Sequence, residues 1–381
     1  MIDFTSKLPE LKTTIFTTMG QLALKHQAVN LSQGFPNFGA DPKLLELVNA
    51  ALEEGHNQYA PMQGLYSLRE RITEKIAALH GKRYQPESEI TITAGATQAI
   101  FTAISTFIRV QDEVIVFKPA YDCYEPAIEL YGGKVVPLQL SPADFKVDWQ
   151  EFENSITPRT KMVIINSPHN PSGAVFSKED MLQLQELLKG TDIILLSDEV
   201  YEHIVFDGLT HESASRFADL ANRSLVCASF GKTLHVTGWK LGYIVGPEIL
   251  MKEFQKVHQY NVFCTNHPMQ KGIAKYLEDK EHYLGLNPFY QEKRDYFLKA
   301  IASSRFRYRP SQGTYFQVLD YSDITDENDI DFSKRLIEEY KIASIPLSVF
   351  NLNNADHSQL RFCFAKTDET LKKAADILIA I

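Results

Sequence analysis

The chain has 381 residues, a formal net charge of −9 and a hydrophobic content of 44%. This length predicts two domains, or one large domain with an appendage, around a sizeable core. The acidic balance argues against a nucleic-acid partner, which would require a basic face. No apolar stretch approaches the length of a membrane span, so we expect no membrane partner.

The start of the chain and its cysteines indicate a cytoplasmic protein. Residues 1–7 lack the basic start and long apolar region of a signal peptide. Cys123, Cys227, Cys264 and Cys363 lie far apart without a CxxC pair, so we expect free thiols in a reducing compartment. No HExxH motif or Cys/His cluster predicts a metal site, and no GxSxG motif predicts a hydrolase serine.

Apolar runs alternate with helical patterns over the first two thirds of the chain. Strands are predicted at residues 89–93, 113–117, 134–138, 162–165, 192–197, 225–230 and 241–245. Helices are predicted at residues 98–107, 124–131 and 178–189. Apolar runs of this length between helices indicate an α/β fold, with a parallel sheet covered on both faces.

After Pro247 the pattern becomes mostly helical. Short strands are predicted at residues 315–319 and 360–364, and helices at residues 330–340 and 369–379. This mixture predicts a second, smaller α+β lobe.

Unusual residues gather where the predicted strands end, which is where open parallel sheets bind their ligands. Gly95-Ala96-Thr97 follows the first strand and opens a helix, so its backbone N–H groups would suit a phosphate. Tyr121, the segment 166–173, Asp198 and Tyr201 follow later strands. Each feature alone is explained by a turn, a loop or a helix N-cap. Their coincidence at so many strand ends favours a functional site.

Lys232 lies in a tight Ser/Gly turn just past the apolar run 225–230, and a second cation, Lys240, follows. A lysine held off bulk solvent near other positive groups has its charged form disfavoured. The neutral amine is what a carbonyl cofactor needs to form a Schiff base. A surface lysine remains the alternative for this turn taken alone. A P-loop is excluded, because Val226 occupies the position that its first glycine requires.

Together these segments resemble the class I/II aminotransferases, the fold-type I pyridoxal-phosphate enzymes, over nearly the whole chain. The resemblance rests on the segments 57–59, 170–173, 197–201, 229–232, 238–240 and 360–364. Segment 119–126 is similar to that of methionine aminotransferases and kynurenine/glutamine-type transaminases. The resemblance implies a mostly parallel central sheet with helices on both faces and a smaller α+β lobe. It further implies a large cofactor-binding domain over 42–280, a small domain from 1–41 with 281–381, and a homodimer.

The resemblance also implies which residues carry the chemistry. Lys232 would bind the aldehyde of pyridoxal 5'-phosphate and then move the proton at Cα. Asp198 would keep the pyridine nitrogen protonated, which makes the ring a better electron sink. The other implied cofactor contacts are those to the ring oxygen (Tyr201 and Asn170), the ring face (Tyr121) and the phosphate (Gly95, Ala96, Thr97, Ser229, Lys240 and, across the dimer, Tyr59).

Arg361 would take the substrate carboxylate in a two-pronged bond, beside the backbone of Gly34. Many family members have arginine where this chain has Lys240, and lysine binds phosphate as a point charge. Lysine at this position is common in the kynurenine/glutamine-type branch, so the difference favours that branch.

Four aromatic residues, Phe16, Phe35, Tyr121 and Phe263, lie in or near segments expected to line the substrate pocket. Asn170 is expected to contact the substrate as well. An aromatic wall favours a substrate side chain with a thioether or a ring. It would leave a second substrate carboxylate desolvated and unpaired, which is costly. The alternative is that these aromatic residues belong to the ordinary core. We therefore expect ping-pong transfer from methionine, an aromatic amino acid or kynurenine to a 2-oxo acid. A cysteine-conjugate β-lyase and a broad-specificity or aspartate-type transaminase remain the alternatives.

Overall fold

The computed structural model describes residue 2 and residues 5–381. The strands in these residues are β1 Val29–Asn30, β2 Ile90–Thr93, β3 Glu113–Lys118, β4 Lys134–Gln139, β5 Thr160–Asn166, β6 Ile194–Asp198, β7 Ser224–Ser229, β8 Gly242–Val245, β9 Phe316–Asp320, β10 Ile342–Ala343, β11 Ile345–Pro346 and β12 Gln359–Cys363.

The α-helices in the same residues are α1 Ile15–Lys25, α2 Pro42–Glu53, α3 Tyr66–His80, α4 Gly95–Phe107, α5 Tyr124–Leu130, α6 Trp149–Ser155, α7 Lys178–Leu188, α8 Ala218–Ala221, α9 Phe230–Thr233, α10 Glu248–Asn261, α11 His267–Tyr276, α12 Glu281–Leu284, α13 Leu286–Ala300, α14 Asp329–Glu338 and α15 Asp368–Ala380. None of the helices in the described residues is long and apolar enough to cross a membrane.

Seven strands form the central sheet, in the order β2-β8-β7-β6-β5-β3-β4. Strands β3 to β7 pair in parallel, whereas β8 is antiparallel to both of its neighbours. Only the short helix α9 and a loop connect β7 to β8, so the chain turns back instead of crossing over the sheet. The predicted α/β class with a mostly parallel sheet is confirmed.

The two faces of this sheet pack against different helices. On β3, Val114 and Val116 point into one apolar cluster with α4 and α10. The alternate residues Ile115 and Phe117 point into another cluster with α2, α3 and α7. This alternation follows from the two-residue period of a strand, and it buries both faces. The sheet is therefore a rigid base for the loops at its carboxyl edge.

A separate apolar cluster, the core of the second lobe, surrounds the three-stranded antiparallel sheet β11-β12-β9. It includes residues from α13, α14 and α15, so the α+β arrangement expected after Pro247 is present. Tyr283 still packs in a cluster of the central sheet, whereas Leu286 packs in the core of the second lobe. The domain limits at 41/42 and 280/281 stay a prediction, which this change of core near residue 284 supports.

Candidate active site

A cavity of about 240 Å³ lies at the carboxyl edge of the central sheet. It adjoins Asn166 at the end of β5, Asp198 at the end of β6 and Ser229 at the end of β7. The predicted residues that line it are Phe16, Gly34, Gly95, Ala96, Thr97, Tyr121, Asn170, Asp198, Tyr201, Ser229, Lys232, Lys240 and Arg361. Parallel strands bring these distant segments together because their carboxyl ends share one edge.

Lys232 reaches this cavity from α9, directly after β7. Its Nζ donates to the carbonyl oxygen of Gly34 at 3.0 Å and to the hydroxyl oxygen of Tyr315 at 2.9 Å. Burial lowers the pKa of Lys232 to about 8, and the positive charge of Arg361 acts in the same direction. A substantial fraction of this amine is therefore neutral near pH 8, as a nucleophile or a proton acceptor must be.

Asp198 lies on the floor of the cavity and is 3% exposed. Its Oδ2 accepts a hydrogen bond from the Tyr124 hydroxyl at 2.6 Å, and its Oδ1 accepts one from the Val200 N–H at 3.3 Å. Burial raises the pKa of Asp198 to about 6, although the Tyr124 hydrogen bond opposes this rise. A cationic N–H group of a ligand at this carboxylate would offset its desolvation.

The first turn of α4 forms a cradle for an anion. Gly95 begins this helix at φ +77°, and no side chain caps its N-terminus. The first N–H groups of a helix have no acceptor within the helix, and the helix dipole favours negative charge there. The positive φ favours glycine at this position, and Nζ of Lys240 lies close by, 3.4 Å from where a Cβ atom of residue 95 would be. The arrangement suits a phosphate group.

Arg361, on β12, lines the cavity from the second lobe and is 1% exposed. Nη1 donates to Oδ1 of Asn170 at 2.7 Å and Nη2 donates to the carbonyl oxygen of Ser32 at 2.9 Å. Its guanidinium carbon lies 3.9 Å from the ring centroid of Phe316, and Nε has no hydrogen-bond partner in the described residues. A buried guanidinium with a spare donor is a suitable site for a ligand carboxylate.

Three predicted site residues, Tyr59, Phe263 and Phe35, do not line this cavity. Tyr59 is 80% exposed and packs edge-on against Phe263, with ring centroids 5.2 Å apart. Phe35 is half-exposed, and its ring faces Nζ of Lys366. The backbone at Gly34 faces the cavity, while the neighbouring Phe35 ring points away from it. Their roles in cofactor or substrate binding remain predictions.

The structure adds candidates that sequence reasoning missed. Tyr315 bonds Lys232, Tyr124 bonds Asp198, and Phe316 stacks under Arg361. Asn166 donates from Nδ2 to the Asp198 carbonyl and accepts at Oδ1 from the Asn170 N–H. Tyr124 is 74 residues from Asp198 and Tyr315 is 83 residues from Lys232, so no local pattern could have revealed these pairs.

Comparisons with known proteins agree with this geometry. A sequence profile of the family described as aminotransferase class I and II matches residues 26–378. The methionine aminotransferase of Escherichia coli strain K12 is 47% identical over 374 residues, which cover 98% of this chain and 97% of that protein. Kynurenine–oxoglutarate transaminase 1 of Rattus norvegicus is 30% identical over 402 residues, covering 96% of this chain and 95% of that protein.

Among solved structures, the crystal structure of YbdL from Escherichia coli, which identified a methionine aminotransferase function for that protein, covers 100% of both chains. Its TM-score is 0.98 at 46% sequence identity. The Thermus thermophilus aspartate aminotransferase superimposes with a TM-score of 0.91 at 28% identity and also covers 100% of both chains. With a family profile that spans most of its length and relatives that it matches from end to end, the chain belongs to the class I and II aminotransferases.

Proposed function

We propose that this aminotransferase uses pyridoxal 5'-phosphate and moves the amino group of a large uncharged amino acid, methionine first, to a 2-oxo acid in a ping-pong cycle. One observation carries the proposal. The amine of Lys232, with its lowered pKa, lines a cavity that also holds an anion cradle, a buried carboxylate and a buried guanidinium.

The residues present fit this cofactor. The first turn of α4, with Ser229 and Lys240, would hold its phosphate. Asp198 would face the ring nitrogen, and Asn170 and Tyr201 would bond the ring oxygen, with Tyr121 on the ring face. When bound, pyridoxal phosphate supplies an aldehyde that takes up the amino group and a ring that withdraws electrons from Cα.

Three residues of the chain would then bind the substrate, transfer the proton and stabilise the charge of the ring. Arg361 binds the substrate carboxylate through two N–H donors and so fixes the orientation of Cα. Lys232, in its neutral form, would take the proton from Cα and deliver it to the carbon that carries the cofactor's aldehyde. Asp198 would stay ionised and keep the ring nitrogen of the cofactor protonated. The same groups serve both halves of the ping-pong cycle, because amino acid and 2-oxo acid share the carboxylate.

Two lines of support favour a large uncharged donor. The relative with 47% identity is a methionine aminotransferase, and the cavity wall includes the apolar or aromatic side chains Phe16, Ile100 and Phe316. The cations in the described lining are Lys232, Lys240 and Arg361, and each already has an assigned partner. A second substrate carboxylate would therefore be desolvated without a counter-charge, which is costly.

We also propose that the enzyme is a cytoplasmic homodimer, in which the partner subunit's Tyr59 reaches the phosphate. The exposed pair of Tyr59 and Phe263 supports this, since such a paired aromatic surface is typical of an interface. All four cysteines are free, which agrees with a reducing compartment.

The cofactor assignment is tested by reducing the purified, cofactor-loaded enzyme with borohydride and mapping the modified peptide. We expect the adduct on Lys232, and Lys232→Ala should retain cofactor through the phosphate contacts but lose turnover by several orders of magnitude. An adduct on another lysine would overturn the assignment.

The substrate assignment is tested by comparing kcat/KM for methionine, phenylalanine, kynurenine, alanine and aspartate with one fixed 2-oxo acid. Methionine should lead, followed by the aromatic donors. A preference for aspartate or alanine would overturn the substrate class and leave the aminotransferase intact. Release of ammonia and pyruvate from cysteine conjugates, without keto-acid exchange, would favour the β-lyase alternative.

A further inference from the structure

Three polar groups, two of them on the cavity-lining residues Gly34 and Lys232, form a closed hydrogen-bonded triangle. Lys232 Nζ donates to the Gly34 carbonyl oxygen at 3.0 Å and to the Tyr315 hydroxyl oxygen at 2.9 Å. The Tyr315 hydroxyl itself donates to the Gly34 carbonyl at 2.6 Å. Because its proton is used in this way, the Tyr315 oxygen can only accept from the lysine.

We propose that the Gly34 carbonyl and the Tyr315 hydroxyl form a resting site for the amine of Lys232 whenever it is not bonded to the cofactor. Tyr315 is then a positioning residue for proton transfer by Lys232. A neutral amine has two N–H donors and one lone pair. Here both donors have an acceptor, so the lone pair is confined to the remaining direction. This inference rests on the proposed role of Lys232.

The carbonyl side of the resting site is held rigidly. We call residues 32–35 the carbonyl strap, because each of its four carbonyl oxygens accepts from a lysine or arginine side chain. Arg361 donates to residue 32, Lys366 to residues 33 and 35, and Lys232 to residue 34. A Cβ atom on Gly34 would lie 2.7 Å from Cζ of Phe316, so the strap could not approach this closely with a larger residue.

The hydroxyl side is equally fixed. Tyr315 is 0% exposed, and its ring packs edge-on against Tyr201 with centroids 5.1 Å apart. Phe316 and Tyr290 pack on it at 4.9 Å and 5.6 Å. A ring enclosed on several sides cannot swing its hydroxyl away, so the hydrogen bond from Tyr315 to the Gly34 carbonyl persists when the amine leaves, and the same two acceptors are in place when it returns.

The chain offers a closely matched control. Tyr290 is as buried as Tyr315 and belongs to the same aromatic cluster, but its hydroxyl has no hydrogen-bond partner in the described residues. Tyr315→Phe and Tyr290→Phe each remove one buried hydroxyl and keep the ring. Only the first removes an acceptor from Lys232.

The first measurement uses cofactor-free protein. Competitive acetylation at a series of pH values, read at the Lys232 peptide by mass spectrometry, gives the pKa of that amine. The Tyr315 oxygen accepts from the ammonium form, so its loss should lower the pKa of Lys232 by about one unit. Tyr290→Phe should leave it unchanged. An unchanged pKa in Tyr315→Phe, or an equal shift in both variants, would overturn the inference.

The second measurement uses the cofactor-loaded enzymes and their pH profiles of kcat. Tyr315→Phe should lower kcat about tenfold, a fraction of the roughly 10²–10⁴-fold that general acid–base catalysis contributes, and leave KM close to that of the unmodified enzyme. The acid limb of the kcat profile of this variant should move to lower pH, because the pKa of Lys232 is lowered. An equal rise in KM would indicate a merely structural role and overturn the inference. A cofactor adduct away from Lys232 would instead overturn the proposed function, which separates the two failures.

Discussion

The side chain of Arg361 illustrates how a buried charge is kept available for a ligand. Its two terminal nitrogens donate to neutral oxygens, on Asn170 and on Ser32, and its plane stacks on Phe316. The carboxyl group of Asp122 acts on it through its charge, but makes no hydrogen bond to it in the described residues. Burial lowers the pKa of this guanidinium from its ordinary value, and even so arginine stays charged. A substrate carboxylate would supply the missing counter-charge.

Arg361→Lys should therefore raise KM for every amino acid and every 2-oxo acid, whatever the side chain. A lysine cannot offer two parallel donors, and the loss should be about 1.5–3 kcal/mol, or roughly ten- to hundredfold in KM. Steady-state kinetics with methionine, phenylalanine and two keto acids measures this. If only one substrate were affected, Arg361 would select the side chain instead of the carboxylate.

At the scale of elements, the carbonyl strap joins the second lobe to Lys232. Lys366 follows β12 and is 3% exposed, and its ammonium donates to carbonyl oxygens on both sides of Gly34. On the neighbouring helix α15, Lys373 is exposed and pairs with Glu369. The two lysines lie seven positions apart in sequence but have very different surroundings.

Lys366→Met should lower the free energy of unfolding by about 1–3 kcal/mol, because two partly buried carbonyls lose a charged donor. It should also lower kcat, since the Gly34 carbonyl is no longer fixed. Lys373→Met should change stability by less than about 0.5 kcal/mol, as exposed pairs do. Urea denaturation followed by steady-state kinetics tests both. Equal losses in the two variants would contradict the role given to the strap.

The regular elements could be predicted from the sequence because their patterns are local. The predicted strand at 162–165 lies inside β5, and the predicted helix at 178–189 differs from α7 by one residue. The helix predicted at 98–107 begins three residues earlier, at Gly95, because a glycine at positive φ can open the helix there. The antiparallel direction of β8 was not predicted, since strand direction depends on the connection and not on the apolar run.

Some residues of the candidate site could likewise be predicted from local patterns, and others could not. Asp198 and Lys232 could be placed from their strands, because parallel strands deliver their ends to one edge. The strap has no regular structure, and its contacts with Lys232 and Lys366 span 198 and 331 residues of sequence. Arg361 was placed by resemblance alone. Contacts between lobes depend on tertiary packing, and no periodic pattern records them.

At the scale of the whole molecule, buried histidines should make stability depend on pH. Burial lowers the pKa of five histidines, to about 3 for one and about 4 for the others: His203, and His80, His169, His235 and His258. Their ordinary pKa is near 6.5. Between pH 6.5 and 4 the unfolded chain therefore binds protons that the folded chain does not.

The free energy of unfolding should accordingly fall as the pH drops through this window, by up to about 1.4 kcal/mol per histidine for each pH unit. The raised pKa values of the buried carboxyls Asp122, Asp198 and Asp329 oppose this, but as three groups against five. Urea midpoints at pH 7.5, 6 and 5, with His169→Gln for comparison, measure the slope. The variant should show a shallower loss. A midpoint that does not change with pH would contradict the burial argument.

The predicted dimer concerns the anion cradle and the exposed residue Tyr59. The cavity holds an anion cradle without any contact from Tyr59, whose ring is 80% exposed beside Phe263. An exposed tyrosine could complete the cradle only from a second subunit, so we expect a dimer in sedimentation. Tyr59→Phe should weaken cofactor retention by about 1.5–3 kcal/mol, the value of one hydrogen bond to a charged group.

The control is Tyr296→Phe, which alters a different exposed tyrosine, on α13, and this variant should retain the cofactor normally. Equilibrium dialysis at several protein concentrations measures both variants. If Tyr59 acts across subunits, retention in the unmodified enzyme should also fall when dilution separates them, whereas Tyr59→Phe should lose much of that dependence. A monomer with full activity and full retention would show that one chain forms the whole site and that Tyr59 is an ordinary surface residue.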